Sequence, residues 1–303
     1  MPRLDLNTVL QITEKLPSLP QPTLRALEII NDPMCNIREL ARVIGLDESL
    51  ATRLLQWANS PFYGLRYKVS TLEQAIMVVG TVAVRDLLLA ASVSEMINRK
   101  MVGYGLERGD LWRHSVAVAA GAQQLAIMHR YERPDQVMVA GLTHDIGKLV
   151  IDELLRLDRG WLAEWNQLRE QGVSFLELER LVTGLDHAQL GGRIAEHWNL
   201  PEVLYEAIAF HHDPGRAVVE PRVVHWVHVA DAAALMLGIG LGYDGLSYIM
   251  SEESLLAAGL DGLDLEELMR YEAAAVSEAE SLFHLPARQR SAIPIAMTSM
   301  QNR

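Results

Sequence analysis

Apolar side chains recur at three- and four-residue intervals along most of this chain, the period of a helix with one buried face. In NIRELARVIGLDESLATRLLQWANS, Ile37, Leu40, Ala41 and Ile44 form one stripe; Gly45 ends that helix and Asp47 can cap a second, whose buried face continues through Leu50, Leu54 and Trp57. Ser60 to Lys68 reads as a loop, and Thr71 to Ser94 as helix again with a break at Gly80-Thr81. After GYGLERG, which interrupts the pattern within Asn98–Gly109, a long helix rich in small residues runs from Leu111 to His129. Pro134 precedes a further helix, read as continuous from Val137 to Leu155. Asp186, with Gln189 three residues on, resembles a capping box, so His187 opens a helix to Trp198. Pro201 starts another, ending near His211–Pro214. Val223–Leu237 and Leu263–Phe283 follow, separated by a glycine-rich turn at Gly238–Gly245. From Pro286 onward no period survives. Runs of β-branched residues are few and short, so the expected fold is all-α: a compact multi-helix bundle with an N-terminal lobe over 1–105, a larger helical lobe over 106–285 and a tail over 286–303.

Composition narrows the function classes. The chain has 303 residues, half of them hydrophobic, and a net charge of -12, which allows one large domain or two ordinary ones with ample core. No apolar run reaches the roughly 18 residues needed to span a bilayer: Ala75–Val84 is stopped by Arg85-Asp86, and Ala232–Gly242 is preceded by Asp231. The N-terminus lacks a signal-peptide pattern, and Cys35, the only cysteine, permits no internal disulfide. The expectation is a soluble cytoplasmic protein with no membrane partner. The acidic balance disfavours nucleic acid as a partner. The helix pair at Asn36–Ser60 imitates a helix-turn-helix, but Glu39, Asp47 and Glu48 would repel phosphate, so it reads as bundle packing. Trp57, Pro61, Phe62 and Tyr63 read as core and loop anchors. Oligomeric state is left open.

One stretch breaks the economy of the apolar pattern. GLTHDIGKLVI, Gly141 to Ile151, places His144-Asp145 and then Lys148 in an otherwise apolar segment, a cost that calls for a partner such as a metal ion. Further candidates lie on other predicted helices. His114 shares an inward stripe with Val118, Gly121 and Leu125; His187 lies at a helix start; His211-His212 form a second adjacent pair; and Asp231 sits inside an apolar helix with His228 three residues before it. Imidazole and carboxylate together suit iron, manganese or zinc better than calcium. His228 is placed to orient Asp231, while His129, His197, His225 and His284 fall outside the pattern and read as structural or surface residues. Lys148 suits either a phosphate contact or a solvated helix position.

The ordered set His114, His144-Asp145, Asp231 is similar to the HD superfamily of metal-dependent phosphohydrolases; His187, His211 and His212 match the fuller ligand set of its two-metal branches, and Lys148 the lysine that follows HD in the cyclic-dinucleotide branch. A wider resemblance, from about Leu16 to about Ala234, is carried by LPSLPQPTLRALEIINDP, IRELARVIGLDESLATRLLQWANSPFYG, VSTLEQAIMVVGTVAVRDLLLA and DHAQLGGRIAEHWNLPEVLYEAIAFHHDP. These segments resemble the HD-related output domain, HDOD. That resemblance implies an all-helical, HD-domain-like bacterial signalling module that acts by binding or scaffolding, in a family where many members have lost HD ligands. This chain keeps the whole set. The text after its histidine pair, HHDPGRAVVEPR, has no GYP-type motif, which argues against cyclic-di-GMP hydrolysis.

The expected function is thus a signal-transduction output module that binds a signalling protein or a small phosphorylated or nucleotide ligand. Its site would hold one or two divalent ions on His114, His144, Asp145, His187, His211, His212 and Asp231, without an organic cofactor. The alternative is a working metal-dependent phosphohydrolase or phosphodiesterase, in which Asp145 bridges two ions or orients a water and Lys148 contacts phosphate.

Overall fold

Helices account for the regular structure in the computed structural model, which describes residues 19–59, 68–243, 250–260 and 262–282. Among them no strand occurs, only an isolated bridge between Met101 and Leu106. The side chain of Trp57, most of the predicted 60–68 loop and the predicted tail over 286–303 lie outside the described residues.

The first five helices are α1 (Gln21–Asn31), α2 (Ile37–Ile44), α3 (Glu48–Ala58), α4 (Leu72–Val79) and α5 (Thr81–Ile97). Local signals set their ends: the Asn36 side chain accepts from Arg38 and Glu39 N–H groups, Asp47 accepts from Leu50 N–H, and Thr71 accepts from Gln74 N–H. Gly80, at φ 83°, separates α4 from α5, which are bent by 108°. Leu40, Ile44, Leu54, Ile76 and Leu88 meet in an apolar core with no polar group among its buried members. No single helix among the described residues is long and apolar enough to cross a membrane.

The remaining helices surround α6 (Asp110–Met128), which packs on α7 (Pro134–Thr143), α13 (Pro221–Met236) and α15 (Gly262–Leu282). Close approach of α6 and α7 depends on Gly141, where an added Cβ would lie 2.8 Å from Ala119 Cα and Val118 O. Beyond α7 come α8 (Lys148–Leu157), α9 (Arg159–Glu170), α10 (Phe175–Thr183), α11 (His187–His197) and α12 (Glu202–Phe210), with α14 (Glu252–Ala257) between α13 and α15. The capping box of Asp186 and Gln189 is present at the start of α11. Two further cores fill this part, one around Leu149, Trp165 and Ile194, the other around Val118, Val137 and Val229.

One expected helix is broken. Val137–Leu155 was read as continuous, with Pro134 ahead of it; Pro134 instead opens α7, and His144–Gly147 form a tight turn before α8. Three-residue hydrogen bonds carry the chain through it, Ile146 N–H to Thr143 O at 3.0 Å and Lys148 N–H to Asp145 O at 2.9 Å. The turn follows from packing: a Cβ on Gly147 would collide with the carbonyl oxygen of His187, so the backbone here is pressed against the start of α11. His144 and Asp145 therefore lie in a turn, not on a continuous helix.

Candidate metal centre

All seven residues singled out as candidate ligands converge. His114 comes from the first turns of α6, His144 and Asp145 from the turn after α7, His187 from the start of α11, His211 and His212 from the end of α12, and Asp231 from the middle of α13. Their ligand atoms fall into three overlapping groups, each within 4.8 Å: His114, His144 and Asp145; His144, His211 and Asp231; His187, His211 and His212. Every one is buried except the half-buried His212.

Hydrogen bonds fix which nitrogen faces the centre. His144 Nδ1 donates to Gly141 O at 2.7 Å, and His211 Nδ1 donates to Ile208 O at 2.8 Å. A carbonyl can only accept, so each neutral ring keeps its Nε2 lone pair for the interior. The geometry repeats: each histidine follows the last turn of its helix and uses a carbonyl left open there. His187 Nδ1 lies 2.8 and 2.9 Å from the two oxygens of Glu179, which also accepts from His187 N–H. Its Nε2 in turn points at those of His211, 3.3 Å away, and His212, 2.9 Å away.

Asp145 stands between two groups of donors. Its Oδ2 is 3.4 Å from His144 Nε2, 3.7 Å from His114 Nε2 and 2.8 Å from Lys148 Nζ; Oδ1 is 3.2 Å from His187 Nε2 and 3.9 Å from His211 Nε2. Asp231 Oδ1 closes the first group, 3.0 Å from His114 Nε2 and 3.8 Å from His144 Nε2.

The electrostatics match this crowding. Burial opposes ionisation of Asp145, yet His144 and Lys148 hold its carboxyl well below the usual carboxylate range. Asp231 is likewise lowered, by its hydrogen bond to His114 and the charge of His144 acting against burial. Burial disfavours charge on His187, but Glu179 and Asp145 outweigh it and push its pKa up to about 10. His144 is raised by Asp145 and Asp231, again against burial. His211 and His212 are driven well below the ordinary histidine range by burial and by neighbouring imidazoles.

This donor set fits a divalent metal ion. His144 Nε2 is buried with no hydrogen-bond partner, and several imidazole lone pairs share one small space with two carboxylates. A cation resolves both, and imidazole with carboxylate is the chemistry of transition-metal ligation.

Three neighbours were missed or misread from sequence. Glu179 is buried on α10, and Tyr104 OH donates to it at 2.8 Å, so the pair fixes His187. Its signal was a carboxylate within the inward stripe Phe175, Leu178, Val182. Glu272 on α15 is fully buried with no hydrogen-bond partner for either oxygen among the described residues; burial and the nearby Asp231 charge hold its pKa well above the usual range, and Gly121 leaves it room. His228 does not orient Asp231. Its Nδ1 donates to His211 O at 2.7 Å and its Nε2 accepts from Ser251 N–H, so it braces the ligand pair instead. Lys148 is buried beside Asp145, with Tyr104 below its ammonium, so the solvated reading fails. His225 bonds Ser254 and His129 bonds Ala258 O, as structural residues.

The model of the HDOD domain family matches residues 16–214. The chain belongs to the HDOD family. Asp231 and α13–α15 lie beyond the matched segment, so one carboxylate of the centre comes from outside it. An HDOD domain protein of unknown function from Geobacter sulfurreducens is similar in structure, with a TM-score of 0.57 at 25% identity over 92% of this chain and 96% of that one. A Shewanella amazonensis SB2B protein described provisionally as a phosphohydrolase gives 0.63 at 23% identity, over 89% and 97%. A Marinobacter aquaeolei VT8 protein described provisionally as a signal transduction protein gives 0.62 at 21% identity, over 93% and 62%. Both of these likenesses concern the fold. In sequence, the chain is 25% identical over 206 residues to an uncharacterized protein of Treponema pallidum (strain Nichols), a match over 66% of this chain that spans 38% of the relative's length.

Proposed function

We propose that this HDOD chain is a signal-transduction output module that retains a loaded divalent-metal centre and acts by binding a partner or ligand. This reading has one or two ions: one among His114, His144, Asp145 and Asp231, and a second among Asp145, His187, His211 and His212, with Asp145 shared. The observation that carries a binding role over turnover is closure. His144, His187 and His211 are at 0% exposure and Lys148 at 4%, so a phosphoester would have to displace buried side chains to reach the centre. A neighbour of similar fold, described provisionally as a signal transduction protein, is in keeping with this reading.

The second reading, a phosphohydrolase, draws on the shared carboxylate and on Lys148 at 2.8 Å from it. A bound divalent ion there supplies Lewis-acid charge stabilisation and lowers the pKa of water; Asp145 and Lys148 would orient the nucleophile and the phosphate, with entry past His212, the one ligand that is not fully buried. Elemental analysis of protein purified without chelator, followed by turnover on a panel of phosphomonoesters and phosphodiesters, tests both. Stoichiometric iron, manganese or zinc without turnover is the expected result. Metal-dependent turnover abolished by Asp145→Ala would move the chain to the hydrolase reading, and absence of any metal would overturn both.

A further inference from the structure

A second site lies at the far ends of the helices that build the metal centre. The helices α7, α12 and α13 pack on one another. Their C-terminal ends or middles deliver His144, His211 and Asp231 to the centre. Their N-termini, at Pro134, Glu202 and Pro221, open onto one surface cleft of about 710 Å³, roughly 14 Å away at 1.5 Å per residue. None of the three N-termini is closed by a capping side chain; Pro134 and Pro221 carry no N–H, and the Gln136, Leu204 and Val223 N–H groups donate to Arg133, Pro201 and Glu220 carbonyls, so the cleft gathers the positive ends of three macrodipoles and the N–H groups of Glu202, Val203 and Arg222.

An independent feature points to a ligand. Gln136, on the first turn of α7, lines the cleft at 3% exposure, yet its side-chain amide makes no hydrogen bond among the described residues. The rest of the side chain is covered, so its amide donor and acceptor are open only to the cleft, a space that a ligand can fill. Arg130 and Arg222 add charge. Arg130 enters no ion pair among the described residues and occupies φ 52°, a conformation that costs an arginine more than a glycine. Arg222 lies over the rings of Tyr131, at 5.6 Å, and Trp226, at 5.9 Å. The same cleft also carries Glu132, Glu202 and Glu220. These carboxylates disfavour a bare anion and match a ligand that brings hydroxyl or amino donors beside its phosphate. Tyr131 and Val203 supply flat apolar lining.

We propose that this cleft binds a nucleoside phosphate: the phosphate on Arg130, Arg222 and the N–H groups of Glu202, Val203 and Arg222, the ribose and base against Gln136, the glutamates and Tyr131. The site extends the ligand-binding reading given above and would serve as its sensory end, but binding there does not require the metal. The volume is that of a small-ligand pocket.

Isothermal titration of the chelator-treated full chain with AMP, GMP, CMP and UMP, with adenosine and inorganic phosphate as partial probes, tests it. At least one nucleotide should bind saturably, with adenosine and phosphate at least about tenfold weaker. Arg130→Gln with Arg222→Gln should weaken that nucleotide about tenfold or more, and Gln136→Leu, nearly isosteric, should weaken it independently, each variant keeping its helical circular dichroism. Asp145→Ala, at the other end of the helices, should leave affinity within about twofold. No saturable nucleotide binding overturns the proposal. So does binding unchanged by the arginine and glutamine variants, and so does binding lost in Asp145→Ala, which would place the phosphate at the metal centre. Phosphate as tight as the best nucleotide would reduce the cleft to an anion pocket and overturn the nucleoside assignment.

Discussion

The helices α1–α5 and the helices around α6 solve opposite problems with the same secondary structure. In the first group the buried side chains are mostly aliphatic, and the polar ones have partners within the chain: Thr23 and Ser92 hydroxyls lie 3.0 Å apart, Asp86 pairs with Arg85 and Arg133, and at the surface Arg25 pairs with Glu28 and Glu39. That arrangement is stabilised by removing apolar area from water and needs nothing from outside the chain. In the second group, several carboxylates, among them Asp145, Glu179, Asp231 and Glu272, sit in the interior with Lys148 and a cluster of histidines. Desolvating so many polar groups is unfavourable unless each is paired, and His144 Nε2 has no hydrogen-bond partner among the described residues. One region satisfies its buried groups within the polypeptide; the other gathers donors that a cation would satisfy.

The sharpest way to break this comparison is to remove the cation's anchor. Asp145→Ala should abolish metal retention, and the melting difference between metal-loaded and chelated protein should collapse; in the wild type that difference amounts to about 4 kcal/mol when metal is at 1,000 times Kd. Equal metal content in wild type and variant, by elemental analysis, would make the second region an inherited packing arrangement like the first. Ile44→Ala, at 0% exposure in the N-terminal core, should cost about 2–5 kcal/mol in urea unfolding and leave metal stoichiometry unchanged. A loss of metal in that variant would show the two regions to be one cooperative unit.

A finer probe is Glu179→Gln. It preserves the shape around His187 but removes the charge that makes the imidazole a better donor, and metal affinity should fall about 10–100-fold, measured by competition with a chelating dye. The pH dependence checks the same pair. In chelated protein His187 carries its proton up to about 10, above its ordinary 6.5. Its stabilising contribution is therefore complete below pH 6.5 and lost as pH rises through about 10. Metal binding must displace that proton, so affinity should climb about tenfold per pH unit between those limits, and Glu179→Gln should narrow the window. The smallest effect belongs to His225→Ala, which removes a 2.9 Å contact to Ser254. It should cost about 1 kcal/mol with no change in metal content; a loss of metal there would enlarge the centre beyond the residues named.

The buried sides of α2 and α6 were legible because period and capping are local: Leu40 and Ile44, or His114 and Val118, face inward for reasons contained within a few residues of sequence. The candidate ligands were legible for a related reason, since histidine and aspartate inside apolar stripes are expensive wherever they occur. Glu179 carried the same signal on α10, but its meaning depended on which helix start lay opposite.

The sequence by itself therefore determined that the chain is helical, where most of its helices begin, and which side chains are candidates to hold an ion. Tertiary structure decided the rest. Contact between Gly147 and the start of α11 turned an expected continuous helix into a turn, which aims His144 and Asp145 into the centre. Carbonyls at the ends of α7 and α12 selected the nitrogens that face inward. The meeting of three helix N-termini around Gln136 made a cleft from segments that are far apart in the chain. Propensity and pattern act over one or two turns, whereas lone-pair direction, desolvation and shared pockets depend on which distant segments pack together.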